Sequence, residues 1–281
     1  MNKNIIITGA TGFLGSNFVD TFIENNKVYS LGRSKSEKCD NFYWNFKGEL
    51  QIDKLPANIN TVIHCGAIVG ESNLSKREYI DVNLISTLEL LEYCVNIGAE
   101  QFIYISTGGV YGFGKFPFTE EDQSKPQGIY NISKHFSEEL SLEYANKLKI
   151  VILRVFFPYG KGQKGRLIPN LINRIKNNQE IILNNRGMPF VNPIYIGDLC
   201  NIIKIMVDGR LQGVFNVCGN EVLSIKEICQ VIGCKVQTSN IQFYFNGKDT
   251  ESLIGNNEKI QKIIHDCIKT KISIGIEKMI T

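Results

Sequence analysis

The sequence contains no apolar run long enough to span a bilayer, and its first residues lack the charged and apolar regions of a signal peptide. The formal net charge of +3 over 281 residues is also too small to indicate a nucleic-acid-binding protein. We therefore expect a cytoplasmic protein that binds neither a membrane nor a nucleic acid.

Metal-binding and disulfide patterns are absent as well. No two of the eight cysteines have C-x-x-C spacing, and the three histidines are scattered along the chain. Five cysteines lie within apolar strand or helix patterns, where a free thiol packs as a small hydrophobic group: Cys65, Cys94, Cys200, Cys218 and Cys229. The sequence therefore predicts neither a bound metal nor a disulfide framework.

Three evenly spaced glycines follow the first apolar segment. The segment Asn4 to Thr8 leads directly into Gly9, Gly12 and Gly15, and an amphipathic stretch runs from Phe13 to Asn25. Strand, glycine turn and helix form the phosphate-binding unit of a doubly wound sheet, because the N–H groups at the start of the helix can bind the anion. The G-x-x-G-x-x-G spacing differs from the common G-x-G-x-x-G, so an ordinary glycine-rich turn is the alternative. We predict dinucleotide binding at this turn.

The second predicted strand, Lys27 to Leu31, ends in Gly32, Arg33 and Ser34. In a dinucleotide-binding fold, the residues after this strand lie beside the adenosine ribose, where an acidic residue would bind the 2′-hydroxyl. No acidic residue is present, whereas Arg33 could form a charge-assisted bond to a 2′-phosphate. The pattern favours NADP over NAD, with a solvated basic turn as the alternative.

Strands and helices alternate through the following residues. Strands are predicted at Phe42–Phe46, Thr61–Ala67, Phe102–Ser106 and Ile150–Val155, and a helix is predicted from Lys76 to Gly98. This alternation predicts an α/β fold, a Rossmann-like doubly wound parallel sheet with a smaller C-terminal substrate-binding lobe. We expect a dinucleotide-binding domain over residues 1–160, to which later segments such as 192–217 return, and a lobe mainly over 161–281.

A tyrosine and a lysine share one face of a further predicted helix. Tyr130 and Lys134 are four residues apart, in a helix that places Glu138 and Glu139 opposite Phe136, Leu140 and Leu142. An ammonium beside a phenol lowers the pKa of the phenol, which would let Tyr130 transfer protons near neutral pH. Y-x-x-x-K also occurs by chance in many helices, so this pair carries weight only together with the other motifs.

These motifs occur in the order and spacing of the extended short-chain dehydrogenase/reductase family. The set consists of the glycine turn, Ser106-Thr107 and Tyr130-x-x-x-Lys134. Three later segments resemble the nucleotide-sugar epimerase/dehydratase branch: Pro158-Tyr159-Gly160, Asn192-Pro193-Ile194-Tyr195 leading to Asp198, and Gly213 to Val217. The resemblance covers essentially the whole chain. It implies bound NADP or NAD and a nucleotide-diphosphate sugar held between two lobes.

The resemblance also implies roles for individual residues. Tyr130 would be the catalytic acid/base, Lys134 would lower its pKa and hold the nicotinamide ribose, and Thr107 would bond the sugar oxygen. The expected cofactor-binding residues are Gly9, Thr11, Gly12, Phe13, Leu14, Gly15, Arg33, Ser34, Asn45, Phe46, Cys65, Gly66, Ala67, Asn83, Ser106, Tyr130, Lys134, Phe156 and Pro158. The expected substrate-binding residues are Thr107, Phe157, Lys164, Arg166, Asn192 and Tyr195.

Three departures from the family pattern involve four residues. Gly108 and Gly109 stand where the dehydratases carry an Asp-Glu pair, which removes the acid and base that 4,6-dehydration needs. The decarboxylase pattern of the family likewise has a glutamate at these positions, so the resemblance disfavours decarboxylation too. Phe157 replaces a frequent asparagine that contacts the substrate diphosphate, and Val191 replaces a frequent arginine. The basic loop with Lys161, Lys164 and Arg166 could supply the missing charge or could be a solvated surface.

Three functions are compatible with this pattern. The first is an NAD(P)-dependent nucleotide-sugar epimerase, acting at C4 through a keto-sugar. The second is an NADPH-dependent reductase of nucleotide-4-keto-6-deoxysugars, and the third is a non-catalytic, cofactor-sensing regulator. We rank them in this order. The resemblance further implies a homodimer formed through the Lys76–Gly98 helix and the Tyr130 helix.

Overall fold

The computed structural model describes residues 2–70, 73–114 and 117–281. Its strands are β1 Asn4–Thr8, β2 Lys27–Gly32, β3 Asp40–Tyr43, β4 Thr61–His64, β5 Gln101–Thr107, β6 Lys149–Val155, β7 Ile181–Leu183, β8 Phe190–Val191, β9 Gly213–Val217, β10 Leu223–Ser224 and β11 Phe243–Phe245. Its α-helices are α1 Phe13–Phe22, α2 Lys76–Tyr79, α3 Ser86–Asn96, α4 Gly128–Leu142, α5 Leu167–Lys176, α6 Ile196–Asp208, α7 Ile225–Lys235, α8 Glu258–Ile263 and α9 Ile272–Ile280.

A seven-stranded sheet in the order β3-β2-β1-β4-β5-β6-β9 has the apolar strand β1 in its interior. Ile5, Ile6 and Ile7 of β1 are fully buried, as expected for a strand covered on both faces. Strand β1 pairs in parallel with β2 on one side and with β4 on the other. The chain adds strands first on the β2 side and then on the β4 side, so the strand order reverses at β1. Such a reversal opens a crevice beyond the carboxyl ends of the strands, where ligands bind. The sheet confirms the predicted Rossmann-like fold.

The chain divides into two compact units. The first contains residues up to 110 together with 124–154 and 200–215, and the second contains 111–123, 155–199 and 216–281. The first unit includes the glycine turn and α4. The predicted use of 161–281 as a substrate-binding lobe stays a prediction.

In the second unit, the apolar faces of α5, α7 and α9 form the core. Helix α7 begins at a capping box: Glu227 N–H donates to the Ser224 hydroxyl at 3.2 Å, and the Glu227 carboxylate accepts from Ser224 N–H at 2.7 Å. Two short sheets, β7 with β11 and β8 with β10, complete this unit.

Three predicted elements differ from the observed ones, and the first is β4, which ends at His64 and not at the predicted Ala67. Strand β3 covers Asp40–Tyr43 and not the predicted 42–46, because Trp44 and Phe46 turn into the core, where their rings pack at a tilt with their centres 4.8 Å apart. The predicted helix 76–98 is interrupted by a π-helical segment, Ile80–Ile85, between α2 and α3. Such segments within α-helices frequently occur at functional sites.

Candidate functional site

The glycine turn packs against the loop that follows β4. Gly9 has a φ of +65°, and a Cβ built on it would lie 2.9 Å from the Gly66 Cα. A Cβ built on Gly15 would lie only 2.2 Å from the Gly9 carbonyl oxygen, so only glycine lets α1 approach the turn this closely. Helix α1 has Gly12 as its N-cap residue, which places no side chain over the first N–H groups. Those groups are suited to binding a phosphate.

A cavity of about 190 Å³ lies beside this turn. It brings together the glycine turn, the end of β2, Phe46 and the loop after β4, all within the first unit. Its lining is Gly9, Ala10, Thr11, Gly12, Gly32, Arg33, Ser34, Phe46, Cys65, Gly66, Ala67 and Val82. Arg33 and Ser34 are exposed at this cavity, whereas Asn45 is exposed outside its lining. Ala10, Gly32 and Val82 were not predicted, because small or apolar side chains that line a cavity carry no distinctive sequence signal.

A buried hydrogen-bond system holds the loop after β4. The Thr8 hydroxyl accepts from the N–H groups of Cys65 at 3.2 Å and Gly66 at 2.9 Å, and it lies 2.7 Å from Nδ1 of His64. Because this oxygen already accepts two hydrogen bonds, the Thr8 hydroxyl donates its own hydrogen to Nδ1 of His64. Burial, and then the charge of Lys134, lower the pKa of His64 well below its usual value, so this histidine is neutral. The neutral His64 holds the Thr8 hydroxyl, and through Thr8 it helps to position the loop after β4.

Helix α4 carries the predicted catalytic pair. Lys134 is 2% exposed, and its Nζ lies 4.0 Å from the centre of the Tyr104 ring. Burial lowers the pKa of Lys134 to about 7, although the charge of Glu138 opposes the shift. Cys65, which belongs to the lining of the cofactor cavity, is close enough to Lys134 to affect its pKa, so the lysine lies near this cavity.

Polar side chains follow the end of β5. Thr107 is the last residue of β5, and its hydroxyl accepts from Gly109 N–H at 3.1 Å. Ser106 is buried, and its hydroxyl donates to the Glu138 carboxylate. Thr107 is thus at the carboxyl edge of the sheet, where substrates bind in such folds, whereas Ser106 is held beneath it.

Gly109, the second glycine after Thr107, lies beside Asn131. A Cβ on Gly109 would lie 2.3 Å from Oδ1 and 2.8 Å from Cγ of Asn131. The Asn131 amide is held in this position because its Nδ2 donates to the Gln127 carbonyl at 2.8 Å. Asn131 therefore fills the space that a side chain on residue 109 would need.

Asn83, predicted to bind the cofactor, lies within the π-helical segment and is 1% exposed. Its Oδ1 accepts from Ile68 N–H at 2.8 Å, and its Nδ2 donates to the Ile68 carbonyl at 3.2 Å and the Ser133 hydroxyl at 2.9 Å. These bonds join the loop after β4 to α4. A direct contact of Asn83 with the cofactor stays a prediction.

Glu138 and Phe136 lie on the opposite sides of α4 from those the sequence pattern indicates. Glu138 is 1% exposed, whereas Phe136 is 52% exposed. The reason is Arg154 on β6, whose Nη2 donates to the Glu138 carboxylate at 2.7 Å and whose Nε donates at 3.0 Å. Sequence analysis missed this pair, although Glu138 is four residues beyond Lys134, a spacing that places both on one helical face.

Phe13 and Leu14 begin α1 in the first unit, and the remaining predicted residues belong to the second unit. Phe156 is buried there, and its N–H donates to the Val217 carbonyl at 2.9 Å. Phe157 has a φ of 43°, in the left-handed region that asparagine adopts more readily than phenylalanine. The Pro158 carbonyl accepts from the Gln163 side chain at 2.7 Å.

Lys164 and Arg166 are exposed in the loop before α5. Asn192 is 2% exposed, and its amide bonds the backbone of Gly219 and Gly255. Tyr195 lies edge-on to the buried Tyr159 ring. A substrate contact of these residues remains a prediction, and for Asn192 it would compete with three backbone hydrogen bonds.

Within the described ranges, no helix is both long and apolar enough to cross a membrane. The same ranges contain no group of three or more His, Cys, Asp or Glu side chains that could hold a metal ion.

Comparisons with known proteins agree with the observed fold. The sequence model of the NAD dependent epimerase/dehydratase family matches residues 5–218. The chain is 28% identical to a dTDP-D-glucose 4,6-dehydratase of Dictyostelium discoideum over 253 residues, which are 76% of this chain and 58% of that protein. It is 27% identical to a dTDP-4-dehydro-6-deoxyglucose reductase of Escherichia coli over 261 residues, which are 83% of this chain and 82% of that one.

A solved structure, the UDP-N-acetylglucosamine 4-epimerase from Methanobrevibacter ruminantium M1 in complex with UDP-N-acetylmuramic acid, superposes with a TM-score of 0.90 at 21% identity. The match covers 99% of this chain and 97% of that one. At this identity the likeness shows a shared fold.

Proposed function

Because the chain belongs to the NAD dependent epimerase/dehydratase family, we propose that it is an NAD(P)-dependent nucleotide-sugar epimerase acting at C4. The observation that carries this proposal is the buried Lys134 ammonium, which lies close to the cavity of the glycine turn and shares a helix with Tyr130. The start of α1 carries no covering side chain and fits a dinucleotide. Glycine is needed at position 15, because a Cβ there would collide with the Gly9 carbonyl oxygen and push α1 away from the turn.

Each catalytic side chain has one task in this proposal. Tyr130 takes the proton from the sugar hydroxyl and later returns it, while the Lys134 ammonium stabilises the phenolate. Thr107 bonds the same sugar oxygen and orients it toward Tyr130. The bound nicotinamide supplies the hydride acceptor and donor.

Dehydration is disfavoured by the residues after β5. Gly108 and Gly109 carry no acid or base, and Asn131 fills the space beside Gly109. We therefore expect no 4-keto-6-deoxy product when the protein is incubated with UDP-, dTDP- or CDP-hexoses. The appearance of that product, which absorbs strongly in alkali, would contradict this interpretation.

The second candidate is an NADPH-dependent reductase of nucleotide-4-keto-6-deoxysugars. The exposed Arg33 at the cofactor cavity favours it, because a guanidinium can bind the 2′-phosphate of NADP. The 27% identity to a reductase also supports this candidate. A cofactor-sensing regulator is a weaker candidate, because Thr107, Tyr130 and Lys134 are all present.

One assay separates the three candidates. The purified protein is incubated with UDP-glucose, UDP-galactose, UDP-N-acetylglucosamine and UDP-glucuronic acid, with NAD or NADP, and C4 inversion is followed by proton NMR. A parallel sample receives NADPH and a nucleotide-4-keto-6-deoxysugar, and absorbance is followed at 340 nm. Inversion without net cofactor change supports the epimerase, stoichiometric NADPH loss supports the reductase, and inactivity in both arms supports the regulator. Tyr130→Phe is the matched inactive control.

The second unit is proposed to hold the nucleotide sugar. Lys164 and Arg166 are exposed cations suited to the diphosphate, and Phe157, Asn192 and Tyr195 complete the proposed set. Lys164→Ala and Arg166→Ala should each raise KM for the nucleotide sugar and leave kcat nearly unchanged. Unchanged KM in both variants would mean that the loop is a solvated surface.

We also propose that the protein is a homodimer formed through α3 and α4. Exposed apolar side chains on and beside these helices support this: Ile85, Phe136 and Leu142 are 38%, 52% and 39% exposed. Light scattering after size exclusion should give twice the chain mass, and Phe136→Glu should give one chain mass. A monomeric native protein would refute the dimer.

A cytoplasmic location is proposed from the thiols. All eight cysteines are free, and Cys94, Cys218, Cys229 and Cys267 are buried, as expected in a reducing compartment. Titration of the thiols in the purified, denatured protein should find eight reactive thiols. Cell fractionation tests the location directly.

A further inference from the structure

We propose that Asn131 is a specificity-determining residue of the sugar site: its amide oxygen accepts a hydrogen bond from a sugar hydroxyl adjacent to the hydroxyl that reacts. This inference rests on the proposed function, in which Tyr130 and Thr107 bind the reacting sugar oxygen. The site would therefore select nucleotide sugars that carry a free hydroxyl at the adjacent position.

The Asn131 side chain occupies the place of a side chain on residue 109. The backbone of Gly109 lies outside the left-handed region, so its conformation allows residues other than glycine. Glycine is required there because a Cβ would lie 2.3 Å from Oδ1 of Asn131. The polar group at this place is thus supplied by α4 and not by the residues that follow β5.

The orientation of the amide follows from its hydrogen bond. Nδ2 of Asn131 donates to the Gln127 carbonyl at 2.8 Å, and a carbonyl only accepts, so the nitrogen is the atom on that side. Oδ1 is therefore the atom nearest to the Cβ position of Gly109. Within the described part of the chain, Oδ1 accepts no hydrogen bond, and Asn131 is half-buried. An acceptor that is held in place without a partner is available to a ligand.

A donor and an acceptor border Gly109. The Thr107 hydroxyl accepts from Gly109 N–H at 3.1 Å, which leaves its own hydrogen for a sugar oxygen. Oδ1 of Asn131 has only lone pairs to offer, so it requires a group that donates. Two adjacent hydroxyls of a sugar ring match this pair, the reacting one at Thr107 and its neighbour at Asn131. A sugar without the second hydroxyl leaves the Asn131 acceptor unpaired, which costs affinity.

The test measures binding and needs no turnover. Isothermal titration calorimetry gives the Kd of UDP-glucose, UDP-3-deoxyglucose and UDP-6-deoxyglucose in a Tyr130→Phe background saturated with NAD. Each analogue lacks one of the two hydroxyls adjacent to the C4 hydroxyl. Asn131→Ala should weaken the binding of UDP-glucose by about 2- to 10-fold, the worth of one neutral hydrogen bond, and should leave unchanged the Kd of the analogue that lacks the bonded hydroxyl. If the protein binds only another nucleotide sugar of the epimerase assay, the same analogues of that sugar are used.

A control variant separates sugar recognition from support of the helix. Nδ2 of Asn17 in α1 donates to the Phe13 carbonyl, four residues before it, at 2.7 Å, which is the same kind of bond that Asn131 makes in α4. Asn17→Ala should therefore keep the native Kd values. A purely structural role of Asn131 would weaken the binding of all three ligands equally, and that result overturns the proposal. An unchanged Kd of UDP-glucose in Asn131→Ala overturns it as well.

A swap returns the oxygen from the other side of the contact. Asn131→Ala opens the space beside residue 109, and Gly109→Ser then places a hydroxyl oxygen in it. Asn131→Ala/Gly109→Ser should recover the tighter binding of UDP-glucose, whereas Asn131→Ala/Gly109→Ala should not. Equal affinities of the two double variants overturn the proposal.

These outcomes are distinguishable from those of the epimerase assay. A protein that binds a nucleotide sugar through Asn131 without inverting it refutes the proposed activity and supports the role of Asn131. An active epimerase whose Kd values do not depend on Asn131 refutes that role alone. Absence of binding of every nucleotide sugar overturns both proposals.

Discussion

The contact between Gly109 and Asn131 provides a quantitative test of how the site excludes side chains. In Gly109→Ala, the new Cβ would lie 2.3 Å from Oδ1 of Asn131, so the amide must rotate away. Rotation breaks its hydrogen bond to the Gln127 carbonyl, worth about 0.5–1.5 kcal/mol. The strained rotamer that the displaced Asn131 side chain adopts adds about 0.5–1.5 kcal/mol to this cost. The contact should therefore cost about 1–3 kcal/mol of unfolding free energy.

The same substitution should be harmless once the amide is removed. In an Asn131→Ala background, the Cβ of Gly109→Ala meets no amide. The substitution should then stabilise the folded protein by about 0.4–1 kcal/mol, because alanine lowers the conformational entropy of the unfolded chain. The double-mutant cycle should then give a coupling energy of about 1–3 kcal/mol. Gly32→Ala is the matched control, because the nearest atom to its Cβ would be 3.8 Å away, an ordinary contact.

The chain offers a built-in probe for this measurement. Trp44 is its single tryptophan, is 5% exposed and lies in the first unit together with Gly109 and Asn131. Urea unfolding followed by its fluorescence reports on that unit for each of the four proteins of the cycle. Additivity within about 0.5 kcal/mol would refute the contact.

Three further predictions concern the cofactor and the catalytic pair. Arg33→Ala should weaken NADPH binding by about 1.5–3 kcal/mol and leave NADH nearly unchanged; equal loss for both, measured by nicotinamide fluorescence, would remove the preference for NADP. Tyr130→Phe should lower turnover by about 10²–10⁴ with little change in cofactor affinity, whereas Lys134→Met should lower both; near-normal turnover of Tyr130→Phe would refute the catalytic assignment. Because the pKa of Lys134 is about 7 in the folded protein and higher in the unfolded chain, the unfolded chain binds more protons above pH 7, and stability should rise with pH there. Between pH 7.5 and 8.5 the native protein should gain about 1.4 kcal/mol relative to Lys134→Met, and parallel stability curves would contradict this.

Local patterns were sufficient for the fold and for much of the cofactor site. The run Asn4 to Thr8, the three glycines and the capping box at Ser224 depend on neighbours within a few residues, so their structure follows from the order of residues alone. The one-turn spacing of Tyr130 and Lys134 likewise places both on a single helical face before any tertiary contact is known.

Long-range contacts decided the rest. The periodicity of α4 shows two faces but not which one is buried; Arg154, sixteen residues beyond Glu138, pairs with that carboxylate and leaves Phe136 exposed. The bonding of Asn83 within the π-helical segment is also long-range, since its partners Ile68 and Ser133 lie far from it in sequence. The lowered pKa of Lys134 also exists only in the folded chain, because it requires burial among strands far apart in sequence. The sequence by itself determined which chemical groups this protein has and their local order, and only the tertiary structure decided which of them lose water and acquire a charged partner.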